Sequence, residues 1–177
     1  MKEESPFLYT RQVILEEIAE SFGSPLLTIE LIPKSSWCHN LWSQLDSRDW
    51  GRLKVTTSEA AQHRCEVCGG VGSKYPVDCH ERWEFEEWSC TQSLVGLIAL
   101  CPACHSVKHL GRSMNHGLGD DAKAHLRAIN KWSTKKTEDY VALAFNLWEV
   151  RSLEKWYVDL SWLKQFRITP KKWANSV

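Results

Sequence analysis

The chain has 177 residues, 43% of them hydrophobic, enough to bury a core of its own and to form one domain or one domain with an appendage. Lysine plus arginine and aspartate plus glutamate both number 22, so there is no global positive field; this counts against a nucleic-acid partner without excluding one, since phosphate contacts need only a local patch. No apolar run reaches the roughly 18 to 20 residues of a membrane span and the first residues lack a signal-peptide core, so no membrane partner and a cytoplasmic location are expected.

In chain order, residues 10–22 place Ile14, Ile18 and Phe22 on one stripe ahead of Gly23, which predicts an amphipathic helix. Residues 26–32 are rich in branched side chains and stop at Pro33, which predicts a short strand or extended segment. Residues 46–62 read as a helix capped by Asp or Ser and leading into the first cysteine pair. Strands are expected over 75–83 and 93–100, the second nearly all apolar and therefore buried, with residues 84–87 and Trp88 as the loop between them. Pro102 suits a first helical turn, so a helix is expected from there to about Gly111. A loop over 113–119, a helix over 120–131 and a longer helix over 138–156 complete the chain.

Cys65 and Cys68 form one C-x-x-C pair, Cys101 and Cys104 another, with 32 residues between the pairs. Four soft sulfur donors from two tight turns are what a closed structural zinc site uses, and the inserted strands explain a spacer longer than that of common ribbons. Seven cysteines, an odd number, fit reduced thiols holding metal better than a disulfide framework; Cys38, Cys79 and Cys90 are left as buried thiols. The chemistry is sought in the histidines beside these pairs. His80 lies on the first strand, and His105 and His109, one helical turn apart, can share one ion. Asp78, on the same strand face as His80, and Glu81 are candidates to complete that site. The competing readings are a structural role for His80 and an exposed helix face for His109. His39, His63, His116 and His125 have no constellation around them and are read as surface residues.

Two cysteine pairs bracketing two strands and a helix, with Cys79-His80-Glu81-Arg82-Trp83 on the first strand and His105 directly after the second pair, resemble the HNH nuclease motif, also called the ββα-metal motif, over about residues 65–111. The whole chain also resembles small HNH-like proteins of bacteria and phages, which implies the cytoplasm of a bacterial or phage-infected cell. The resemblance implies an α+β fold, mainly helical around a zinc-stabilised ββα-metal core. Residues 1–62 would then pack on a core of 63–112, followed by a helical region over 113–177. It also implies that His80 is the general base, that His105 ligates a catalytic divalent metal (Mn2+, Mg2+, Ni2+ or Zn2+), and that Cys65, Cys68, Cys101 and Cys104 hold a separate structural Zn2+. The chain departs from the family pattern at Cys79, where Asp or His is common, so Asp78 or Glu81 would take over that metal contact. It departs again at Gly96, where the family has Asn and where Gln92 could orient the base instead.

The function expected is therefore a metal-dependent endonuclease acting on DNA, with RNA as the alternative substrate and the oligomeric state open. The competing class is a catalytically silent zinc module that binds nucleic acid or a protein. Candidate phosphate contacts are Lys108 and Arg112 beside the histidines and Lys164, Arg167, Lys171 and Lys172 near the chain end; the alternative is ordinary solvated charge, as for Lys131, Lys135 and Lys136. Of the ten tryptophans most are expected to pack in the core, with Trp83 and Trp88 as candidates to stack on bases.

Overall fold

A computed structural model describes residues 5–37 and 40–171. Cys38, His39, Lys172 and Trp173 lie outside the described residues. The fold is mixed α/β. Helix α1 (Leu8–Phe22) ends where Gly23 takes φ +64°, a left-handed-region value that favours glycine. A short α2 (Leu41–Gln44) precedes α3 (Ser47–Ala60), whose cap is Asp46, its carboxylate accepting from the Asp49 N–H at 2.8 Å. Strands β1 (Asp78–Glu86) and β2 (Thr91–Leu100) form an antiparallel hairpin that leads into α4 (Pro102–Lys108). Helices α5 (Leu110–Asn115), α6 (Gly119–Asn130) and α7 (Thr134–Arg151) follow, and β3 (Tyr157–Asp159) adds a parallel edge to β2, giving the sheet order β1-β2-β3. No helix among the described residues is long and apolar enough to cross a membrane.

The structure revises several predicted boundaries. Residues 84–86 belong to β1 rather than to a loop. After a register shift between Arg82 and Trp83 the segment alternates, with Arg82, Glu84 and Glu86 exposed and Trp83 and Phe85 turned inward, so its acids ride the outer face of a paired strand. The helix after Pro102 breaks at His109 (φ −97°, ψ 41°) and resumes as α5, which takes up the first three residues of the loop expected over 113–119. Helix α7 begins at Thr134 because the Ser133 hydroxyl caps it, and ends at Arg151, leaving residues 157–159 free to pair with β2. The segment 26–32 is extended but pairs with no strand.

That segment is held by other means. Asn130 of α6 clamps Leu27, its amide accepting from the Leu27 N–H at 3.2 Å and donating to the Leu27 carbonyl at 2.8 Å. The Glu30 N–H donates to the Lys108 carbonyl at 3.1 Å, and Lys108 Nζ donates to Thr28 Oγ1 at 2.7 Å. One core cluster joins Leu27, Leu100, Cys104, Val107, Leu110, Leu126 and Tyr140, drawing on the N-terminal segment, the hairpin and the C-terminal helices together. A second, built on Leu41, Leu53, Leu94, Val158 and Leu163, packs α2 and α3 against the sheet.

The hairpin turn is anchored by a buried ion network. Arg11 of α1, fully buried, pairs with Glu87 at 2.8 Å and with Glu154; Arg151 of α7 also pairs with Glu87 and lies 4.1 Å over the Phe85 ring. Removing one partner leaves a charge buried and uncompensated, which costs on the order of 3–5 kcal/mol. Arg11→Ala should therefore lower the unfolding free energy measured in urea by that amount with the metal content intact, and a loss under about 1 kcal/mol would show that the network does not hold the turn.

Candidate functional site

The first cysteine pair sits in a tight turn. The Gly69 N–H donates to the Cys65 carbonyl at 2.8 Å, the Cys65 N–H to the Gly70 carbonyl at 2.9 Å, and Gly69 takes φ +71°. The turn is fastened to the end of β2 by two bonds, from the Glu66 N–H to the Ala99 carbonyl (2.9 Å) and from the Ala99 N–H to Glu66 Oε2 (2.6 Å). Cys101 and Cys104 follow at once at the start of α4, so the hairpin itself brings the two pairs together. All four Sγ atoms lie within 4.8 Å of one another, and Cys68 and Cys101 are 3.6 Å apart, too far for a disulfide and near the roughly 3.8 Å edge of a tetrahedron with metal–sulfur bonds of about 2.3 Å.

These four residues are positioned to bind a metal ion. Burial and the neighbouring sulfurs push the Cys104 thiol far above its ordinary range and burial raises that of Cys68, whereas at Cys65 backbone hydrogen bonds outweigh burial and lower it; a cation is what allows four thiolates to coexist. His125 is not a plain surface residue: half-buried on α6, its Nε2 lies 3.2 Å from Cys104 Sγ, where an N–H can donate to a thiolate. His63 and His116 are exposed, as read. Burial pushes the thiols of Cys79 and Cys90 up to about 11, so both stay protonated at neutral pH.

A second cluster lies beside the first. One ligand nitrogen each from His80, His105 and His109 falls within 4.8 Å of the other two, with ring centroids 4.8 to 5.2 Å apart and Nε2 of His105 and His109 separated by 3.1 Å. Two carboxylates face this cluster. Glu30 Oε1 accepts from His80 Nε2 at 3.0 Å, and Asp78 Oδ2 lies 3.3 Å from His105 Nδ1. Sequence reasoning missed Glu30, which is 50 residues from His80 and reaches it only because the extended segment is tied to Lys108. Glu81 points elsewhere, its Oε1 accepting from the Leu41 N–H at 2.9 Å at the start of α2. Gln92 is buried and sits six residues along β2 from Ile98, the partner of His80, hence about 20 Å away.

Access comes from the α4–α5 side. A cleft of about 260 Å3 is lined by His105, His109, Arg112 and His116. Arg112 is exposed there, whereas Lys108 is half-buried and bonded to Thr28. Lys164, Arg167 and Lys171 are exposed on the segment that packs against α2 and α3, and none lines this cleft. Trp83 packs in the second core cluster, and Trp88 lies in the hairpin turn at the far end of β1 from His80.

Burial and the proximity of His80 and His105 push His109 down to about 3, and burial lowers His105 against the pull of Asp78. His109 is thus neutral and ligand-competent at neutral pH. The unfolded chain takes up that proton at about 6.5 and the folded chain does not, so the unfolded state binds more protons below this pH and the protein free of metal at the imidazoles loses stability as pH falls. Between pH 7.5 and 5.5 its unfolding free energy in urea should drop more steeply than that of His109→Gln, by a difference on the order of 1 kcal/mol; parallel slopes would refute the assignment.

No family model, curated protein or solved structure matches the chain. The site's own geometry defines its class, an α+β protein with a four-cysteine metal-binding cluster.

Proposed function

We propose that the chain is a metal-dependent endonuclease hydrolysing phosphodiester bonds of DNA, with an HNH-type ββα-metal core and a separate structural zinc on the four cysteines. The observation that carries this reading is the convergence of three imidazoles with two carboxylates, two of those imidazoles, His105 and His109, lining a solvent-reachable cleft. Four thiolates with no open position suit structural zinc. Neutral imidazoles suit a second divalent ion, which when bound supplies a Lewis acid for the phosphoryl oxygens and a water of lowered pKa.

The residues divide the remaining work. Glu30 accepts a hydrogen bond from the Nε2–H of His80 and Asp78 one from the Nδ1–H of His105, which fixes each tautomer and leaves the lone pair of the opposite nitrogen for a metal ion. His80, with 2% of its surface exposed and its Nε2 already engaged, is better suited to hold an ion than to reach a water as general base, so its role here is ligand. Arg112, at the rim, is placed to offset phosphate charge.

Imidazole donors favour manganese, nickel, cobalt or zinc over magnesium. Purified protein incubated with supercoiled plasmid should nick it faster in manganese or nickel than in magnesium, and His80→Ala should abolish nicking while the cysteine-bound ion remains. Single-stranded DNA and RNA run in parallel report the substrate. DNA retention without cutting in any divalent ion would establish the silent zinc module instead.

A further inference from the structure

His109 and Arg112 have a second side. Besides the imidazole cleft they line a larger cavity of about 510 Å3, within the roughly 300–1,000 Å3 of pockets that hold small ligands. Glu30, the partner of His80, lines it too, so cavity and imidazole cluster share Glu30 and His109. Its other walls include Trp37, Trp148, Phe145 and Met114, with Asn115 as a hydrogen-bonding edge.

The aromatic wall is held in place. Trp37 and Trp148 stack with centroids 6.1 Å apart and planes 16° from parallel, and both indole N–H groups donate to the same carbonyl, that of Ile32, at 2.8 and 2.9 Å. With its only polar atom satisfied, Trp37 still has 54% of its surface exposed. A flat apolar face fixed by backbone hydrogen bonds and left open is what a stacking platform for bases requires. Stacking gives no sequence preference by itself, but the cavity also offers an amide and a carboxylate at its polar edges, and a cation at the end nearest the imidazoles. An occupant must therefore be a planar heterocycle whose negative group points toward His109 and Arg112.

We infer that this cavity receives one unpaired nucleobase, next to a phosphate lying at the imidazoles. The inference rests on the nuclease reading and narrows it: the strand carries an unstacked nucleotide beside the cleaved phosphate, either single-stranded or flipped out of a duplex such as the supercoiled plasmid. Trp37 is the stacking residue, and it belongs to neither cluster of candidate metal ligands.

Equilibrium dialysis of the full chain, loaded with zinc and manganese, against dAMP, dCMP and their ribose counterparts tests binding without relying on cutting. Trp37→Ala should weaken retention of the nucleotides roughly 5- to 150-fold, the worth of one base stack, and Trp37→Phe should restore most of it, with metal content unchanged in both. In parallel, single-stranded oligonucleotides carrying one abasic position, stepped along the strand, should be cut less by a similar factor only when the missing base adjoins the cleaved phosphate. Nucleotide binding that depends on Trp37 without any cleavage supports the cavity and overturns the nuclease reading. Cleavage indifferent to abasic sites, with nucleotide binding equal in wild type and Trp37→Ala, overturns the cavity proposal and leaves the nuclease standing.

Discussion

Cys104→Ser, or treatment with a strong chelator, should unfold this protein at room temperature. Cys104 is fully buried inside the larger core cluster, in contact with the residues that join the hairpin to α4 and α6. The turn carrying Cys65 and Cys68 is otherwise fastened by the two Glu66–Ala99 hydrogen bonds and by the packing of Cys65 and Val67 on the core cluster. A structural zinc contributes about 10–16 kcal/mol of apparent binding free energy, which matches or exceeds the roughly 5–15 kcal/mol of net stability of a domain. Removing it should therefore abolish the cooperative thermal transition and most of the helical circular dichroism, and adding zinc back to the chelated wild type should restore both. Cys79→Ser is the control, because its thiol stays protonated and lies outside the cluster; it should keep the ion. A chelated protein that melts cooperatively at the same temperature as the untreated one would refute the structural role.

The second large effect is confined to the imidazoles. His105→Ala should reduce the bound metal from two ions per chain to one while the thermal transition persists, and should lower plasmid nicking by about 10³-fold, since Lewis-acid stabilisation of several kcal/mol is lost at 1.36 kcal/mol per tenfold. Glu30→Gln should act more mildly, weakening manganese affinity by 10- to 100-fold, the usual effect of removing the carboxylate that orients a ligating histidine. Elemental analysis and nicking rates measured on the same preparations separate these outcomes. Two ions retained by His105→Ala, or nicking undiminished, would place the activity elsewhere. The graded response is diagnostic: a ligand and its orienting carboxylate differ in size of effect, whereas two merely structural residues would change melting temperature and not metal affinity.

Much of this arrangement is local and therefore legible in the chain. Each C-x-x-C pair is closed by its own turn, Gly69 at positive φ in the first and Pro102 at the start of α4 in the second, so spacing alone identifies the four sulfur donors. His105 and His109 are one turn apart on any helix, and the stripe on α1 with Gly23 behind it requires no partner to be read. The alternation of Trp83 and Phe85 with Glu84 and Glu86 also carries the strand period, obscured by the density of acids. The same period sends Glu81 to the face opposite His80, where it meets α2.

What the tertiary structure alone decided is set by contacts across long stretches of chain. Glu30 reaches His80 across 50 residues because Lys108 and Asn130 clamp an extended segment that has no strand to pair with. His125 meets Cys104 only where α6 packs on α4, and the pairing of β3 with β2 depends on α7 stopping at Arg151. Trp37 and Trp148, 111 residues apart, share one carbonyl. Turn closure and side-chain period are properties of a few consecutive residues, so the four sulfurs positioned to bind a metal ion and most helices can be read along the chain. Which carboxylate faces which imidazole, and which indole stays open to solvent, depends on how the helices pack around the hairpin, and no periodicity along the chain encodes it.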